Sequence, residues 1–208
     1  MFLTLDGHRL YFFSDGQPGL GGLDIYVSRR RDQRDDFGWQ PPENLGSGVN
    51  GTFNENLSVY LEDEATGTVT LYFGSNRPGM GGTDIYASTL QPDETFGPAV
   101  LLETLSSAFR DAVFAIRRDG LEMFLASDRP GSIGGTGTFD LWVATRASTS
   151  DPWSTPVNLG PVVNSAAGES RGALSFDGTT LYIISDRPGG VGNLDLWVST
   201  RSKLKGPD

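Results

Sequence analysis

The chain has 208 residues, with 16 Lys and Arg against 26 Asp and Glu, a formal net charge of -10, and no Cys. That balance excludes a general nucleic-acid-binding surface, which needs clustered Lys and Arg to neutralise phosphates, and the lack of Cys excludes a disulfide framework and thiolate chemistry. A 37% hydrophobic share with 28 Gly and 12 Pro suits many short strands joined by tight turns and suits long helices poorly.

Four units follow one another, at approximately 1–50, 51–105, 106–164 and 165–208, and each carries the same succession of elements. The first opens on "MFLTLDGHRLYFFSD", two alternating runs around Asp6-Gly7, which predicts a β-hairpin. A Gly- and Pro-rich loop leads to a third strand at 24–27, and "WQPPENLG" from Trp39 gives a fourth, whose prolines suit a sheet edge. In the second unit the hairpin connection is longer, from Asp63 to Gly67, with the third strand at 84–87 and the fourth around "FGPAVLLE". The third repeats the pattern with Asp119-Gly120, 140–143 and "WSTPVNLG". The last has Asp177-Gly178 and 195–198, then runs into "SKLKGPD" with no fourth-strand phrase.

Ser14, Ser75, Ser127 and Ser185 open four copies of one phrase, written in full as "SDRPGGVGNLDLWVSTR" near the end of the chain. Four short antiparallel strands per unit predict an all-β fold, a β-propeller of four-stranded antiparallel blades in a single domain, 1–208, with four blades and the last one incomplete. A larger ring is the alternative closure.

The phrase, with "DG-x-x-L/M-Y/F" before it and "W-x-x-P-x-N-L-G" after it, resembles the WD40-like β-propeller repeat of TolB-like proteins over nearly the whole chain. The first unit departs from it, with Gln17 where the others have Arg77, Arg129 and Arg187, and the third unit has a longer loop. The resemblance implies an extracytoplasmic protein, periplasmic or extracellular, that acts as a binding platform. "MFLTLDGHRLYFF" itself meets Asp6 and Gly7 before any signal-peptide core forms, and no apolar stretch approaches the roughly eighteen residues of a membrane span.

Fold does not fix activity, so chemistry must come from the residues. Arg77, Arg129 and Arg187, with Glu55, Asp111 and Glu169 just before the first strand of units two, three and four, are expected to border the axial mouth and are the candidate binding residues. Fourfold recurrence favours a brace that recurs in each blade, the arginines pairing inside their own blade with the Asp that opens the third strand. Asp24, Asp84, Asp140 and Asp195 are accordingly structural. These carboxylates offer the oxygen ligands of Ca²⁺, but their spacing matches no EF-hand loop, and no metal or other cofactor is assigned. His8 is the only histidine and falls in a turn, so it reads as a turn residue rather than part of a triad.

The leading expectation is a non-catalytic binding or scaffold propeller of the bacterial cell envelope, presenting its axial face to a protein or glycan partner. A carbohydrate-active hydrolase or lyase with acids at the mouth is the alternative, and a propeller segment of a larger multidomain envelope protein is a third. Neither nucleic acid nor membrane insertion is expected, and an incomplete blade gives a route to oligomerisation.

Overall fold

The computed structural model describes residues 1–202, so the end of the fourth unit at 203–208 lies outside the described residues. Blade 1 comprises β1 (Phe2–Leu3), β2 (Arg9–Ser14), β3 (Asp24–Arg29) and β4 (Glu43–Asn44). Blade 2 comprises β5 (Glu55–Glu62), β6 (Val69–Ser75), β7 (Asp84–Thr89) and β8 (Val100–Leu101). Blade 3 follows with β9 (Asp111–Ile116), β10 (Glu122–Ser127), β11 (Asp140–Thr145) and β12 (Val157–Asn158), and blade 4 with β13 (Glu169–Leu174), β14 (Thr180–Ser185) and β15 (Asp195–Thr200). Within each sheet, spatial order follows chain order and all pairings are antiparallel. Among the described residues this is a four-bladed propeller with a three-stranded last blade, as the repeat pattern predicts.

The outer strands are only two residues long. Pro41, Pro42, Pro98 and Pro156 stand at their approach, and a proline has no N-H to continue a ladder. The hairpins differ from the two-residue turns that Asp-Gly suggests. In blade 4, Ser175 N donates to Thr180 O and Gly178 N to Ser175 O, closing a four-residue loop. Gly178 sits at φ 71°, and the Asp177 carboxylate accepts the Thr179 N-H, so Asp-Gly supplies the end of this loop rather than its whole length.

Alternation along the strands gives each blade two apolar faces. The forward face of blade 1, with Tyr11, Ile25 and Val27, packs on the rear face of blade 2, with Tyr60, Leu71, Phe73 and Tyr86. Tyr72 and Ile85 of blade 2 pack in the same way on Val113, Met123, Leu125 and Trp142 of blade 3. Phe124 and Leu141 of blade 3 pack on Leu181, Ile183 and Trp197 of blade 4. The core is therefore three inter-blade layers, and burial of aromatic and branched side chains between blades drives the stacking. Trp153, before the outer strand of blade 3, is buried in the second layer with Arg146 above its ring at 4.2 Å.

The inner strands of all four blades border a common axis: one cavity at its turn end is lined by Leu3, Glu62, Ile116 and Leu174. Among the described residues no strand of blade 1 touches a strand of blade 4.

Candidate functional site

The end of each second strand and the start of each inner strand meet at the opposite end of the axis, because β6, β10 and β14 run antiparallel to β5, β9 and β13. Register places Glu55 opposite Ser75, Asp111 opposite Ser127 and Glu169 opposite Ser185. Each serine hydroxyl donates to its carboxylate, at 2.8, 2.5 and 3.0 Å. Two residues after the serine comes the arginine. Arg77, Arg129 and Arg187 reach the same carboxylate oxygens at 3.0, 2.5 and 2.9 Å and also donate to the serine through Nε.

Each guanidinium also donates to one main-chain carbonyl, of Val49, Leu105 or Val163, and lies over the aromatic ring of the third strand, Tyr86, Trp142 or Trp197. The three carboxylates have no solvent exposure. A buried charge held this way is compensated on every side, and the arrangement is that of a brace. The partner is the acid that opens the inner strand, whereas the sequence pointed to the Asp that opens the third.

Those Asp residues hold the glycine loop instead. Asp24 Oδ2 accepts the Leu20 and Gly21 N-H groups, Asp84 Oδ2 those of Met80 and Gly81, Asp140 Oδ2 that of Ile133, and Asp195 that of Gly192. In blade 1, where Gln17 replaces the arginine, its carbonyl and that of Pro18 accept the Tyr26 hydroxyl. Among the described residues no three His, Asp or Glu side chains gather closely enough to hold a metal ion. His8 is half-buried in its turn, with Nδ1 2.9 Å from the Arg30 carbonyl oxygen, at the end of the axis remote from the braces.

A second recurring set escaped the sequence reading. Five residues before each inner-strand acid stand Asn50, Ser106 and Asn164. Asn50 brackets Ile25, accepting its N-H and donating to its carbonyl, and Asn164 does the same to Leu141, while Ser106 accepts the Ile85 N-H. The acid's own N-H then donates back to the preceding blade: Glu55 to Leu23 O, Asp111 to Thr83 O, Glu169 to Phe139 O. The signal is legible as V/L-N/S-x4-E/D at Val49, Leu105 and Val163, a phrase outside the conspicuous glycine motif.

The mouth itself is a cavity of roughly 470 Å³, lined by Asn56, Thr83, Arg110, Asp111, Phe139 and Arg171 among others. Of the six candidate binding residues only Asp111 reaches its wall. Arg110, missed in the sequence, lies over Phe139 at 4.4 Å and pairs with Asp128 at 2.7 Å. Arg171 is exposed on the inner strand, and among the described residues no carboxylate pairs with it. With Asp111 offset by Arg129 and Arg110 by Asp128, Arg171 leaves the mouth net cationic in an acidic chain.

Solved structures share this architecture. The chain superposes on an α-L-arabinofuranosidase from Lactobacillus brevis with a TM-score of 0.64 at 16% identity, covering 94% of this chain and 69% of that one. A thermostable family-43 glycoside hydrolase gives 0.56 at 13%, covering 96% and 73%. A protein described as a TolB from Agrobacterium tumefaciens gives 0.52 at 15%, covering 92% of this chain and 58% of that one. The chain has the propeller fold. No protein-family model matches it, and no curated protein is similar to it in sequence.

The likeness is one of fold. It nevertheless corrects the expectation of a non-catalytic envelope scaffold, which rested on the recurrent braces, the lack of a recognisable catalytic set and the TolB-like phrase, since the fold superposes more closely on these glycoside hydrolases than on the TolB.

Proposed function

We propose that the chain is the propeller of a carbohydrate-active enzyme, a hydrolase or lyase, that takes its saccharide at the axial mouth. The observation that carries the reading is the cavity between the inner strands of blades 2 to 4, where polar side chains, an aromatic ring and two guanidiniums converge beside Asp111. The shared fold with an arabinofuranosidase and a family-43 glycoside hydrolase supports it. Arg171, which no carboxylate pairs with among the described residues, suits a substrate that carries an acidic group such as a uronate. Asp111 stands behind the cavity wall with its carboxylate enclosed and held by Arg129, so the groups offered to a saccharide are Arg110, Arg171, Asn56 and the Phe139 ring. The repeat phrase supports membership among WD40-like, TolB-like propellers, and with it a periplasmic or extracellular setting.

Purified chain incubated with neutral and uronate-containing oligosaccharides is expected to release reducing ends or unsaturated products. Arg171→Gln is expected to raise KM for uronate substrates at least tenfold with neutral substrates unchanged. A wild-type chain silent on the whole panel overturns the reading.

A further inference from the structure

The forward face of blade 4 has the same residue types as its three counterparts and, among the described residues, none of their cover. Leu196 is 75% exposed, while Ile25, Ile85 and Leu141 at the same position are 0% exposed. Val198 is 59% exposed against 2% for Val27, and Tyr182 44% against 2% for Tyr11. These side chains form one apolar surface on adjacent strands, since register places Tyr182 opposite Val198 and Ile184 opposite Leu196. In blades 1 to 3 such a surface is covered by the next blade.

The polar half of the joint is open as well. In blades 1 and 2 the loop glycine three residues before the third-strand Asp presses on the next blade's leading segment. A Cβ on Gly21 would stand 2.1 Å from Phe53 O, and one on Gly81 would stand 2.3 Å from Phe109 O. Gly192, at the same place in blade 4, meets only atoms of its own loop, none nearer than 3.8 Å. The carbonyls of Leu23, Thr83 and Phe139 accept the N-H of the next inner-strand acid, while among the described residues the Leu194 carbonyl accepts none. Among the described residues the main chain of Leu196 likewise lacks the bracket that Asn50 gives Ile25 and Asn164 gives Leu141.

We propose that this face is a docking site for one further blade of the same repeat, led in by the phrase V/L-N/S-x4-E/D. Its Asn or Ser brackets Leu196, its acid donates the main-chain N-H to Leu194 O, and its inner face covers Tyr182, Leu196 and Val198. Three joints within the chain show what this surface accepts, so the occupant follows from continuity with an existing interface. A second copy of this chain is a poor occupant. Its three leading phrases already sit in its own joints, between blades 1 and 2, 2 and 3, and 3 and 4. Nothing here depends on the carbohydrate reading.

The test uses the intact chain and a synthetic peptide copying residues 157–174, which contains the phrase and an inner strand. Amide resonances of Leu194, Leu196 and Val198 are expected to shift on titration and their hydrogen exchange to slow. The same peptide with Ala in place of Asn164 should bind at least tenfold more weakly, since it loses a bracketing pair of hydrogen bonds. Leu196→Asp in the chain should abolish the shifts. The proposal is overturned if millimolar peptide leaves the three amides unmoved, if the Asn-to-Ala peptide binds equally well, or if the chain alone dimerises with this face protected.

Discussion

Arg77, Arg129 and Arg187 each lie across an aromatic ring and end on a carboxylate that water does not reach. Removing one partner of such a pair strands the other charge, so Arg129→Ala is expected to cost about 3–5 kcal/mol in urea unfolding, whereas Arg129→Met combined with Asp111→Leu recovers most of it. A double variant no more stable than the single one would show that the arginine braces through packing and the Leu105 carbonyl rather than through its charge. Tyr60 gives a pH dependence. Burial, and then the neighbouring Tyr11, push its phenol up to about 12. The folded state holds the neutral form, so this contribution is fully present below the ordinary value near 10 and is lost as pH rises through about 12. Thermal midpoints are expected to fall above pH 10, and Tyr60→Phe should flatten that fall.

The glycines of the repeated phrase do different jobs at the scale of the element. Gly81 is needed for contact between blades, because a methyl group there would strike the Ser107 and Phe109 carbonyls. Gly81→Ala should therefore cost roughly 1–3 kcal/mol, and Gly192→Ala at the matching place in blade 4 should be close to neutral. Chemical denaturation of the two variants side by side decides it, and equal costs would mean that the loop's own conformation is what glycine serves. The turn carbonyls of Gly7, Gly120 and Gly178 each accept Nε of an arginine six residues past the third-strand Asp: Arg30, Arg146 and Arg201. The repeat thus secures both ends of a blade, one end onto itself and the other onto its successor.

Taken as a whole molecule, the propeller is a stack of layers in which each blade completes the one before it. Leu141 and Leu196 occupy the same repeat position, one enclosed between blades and one facing outward. Leu141→Asp is expected to unfold the chain, since an unpaired charge cannot be carried in that layer. Leu196→Asp should leave the thermal midpoint unchanged and raise solubility, because it removes part of an exposed apolar patch. Differential scanning calorimetry and light scattering measure both outcomes. A large loss of stability in Leu196→Asp would mean that the fourth blade's face is covered in solution.

The strands and their order in each blade were legible because alternation, Asp-Gly and the serine-to-aspartate phrase are local signals with fixed spacing. The sequence by itself determined a propeller of four blades, and it named Glu55, Asp111 and Glu169 as companions of the arginines at one end of the axis. It assigned those arginines a different carboxylate, and it passed over Asn50, Ser106 and Asn164, whose partners lie more than twenty residues away. Only the tertiary structure decided which acids are enclosed, that Arg110 and Arg171 rather than the recurrent arginines face the cavity, and that one blade face is uncovered. The physical reason is that periodicity fixes which side of a strand a residue occupies, while burial and pairing depend on what the neighbouring blade brings to that side.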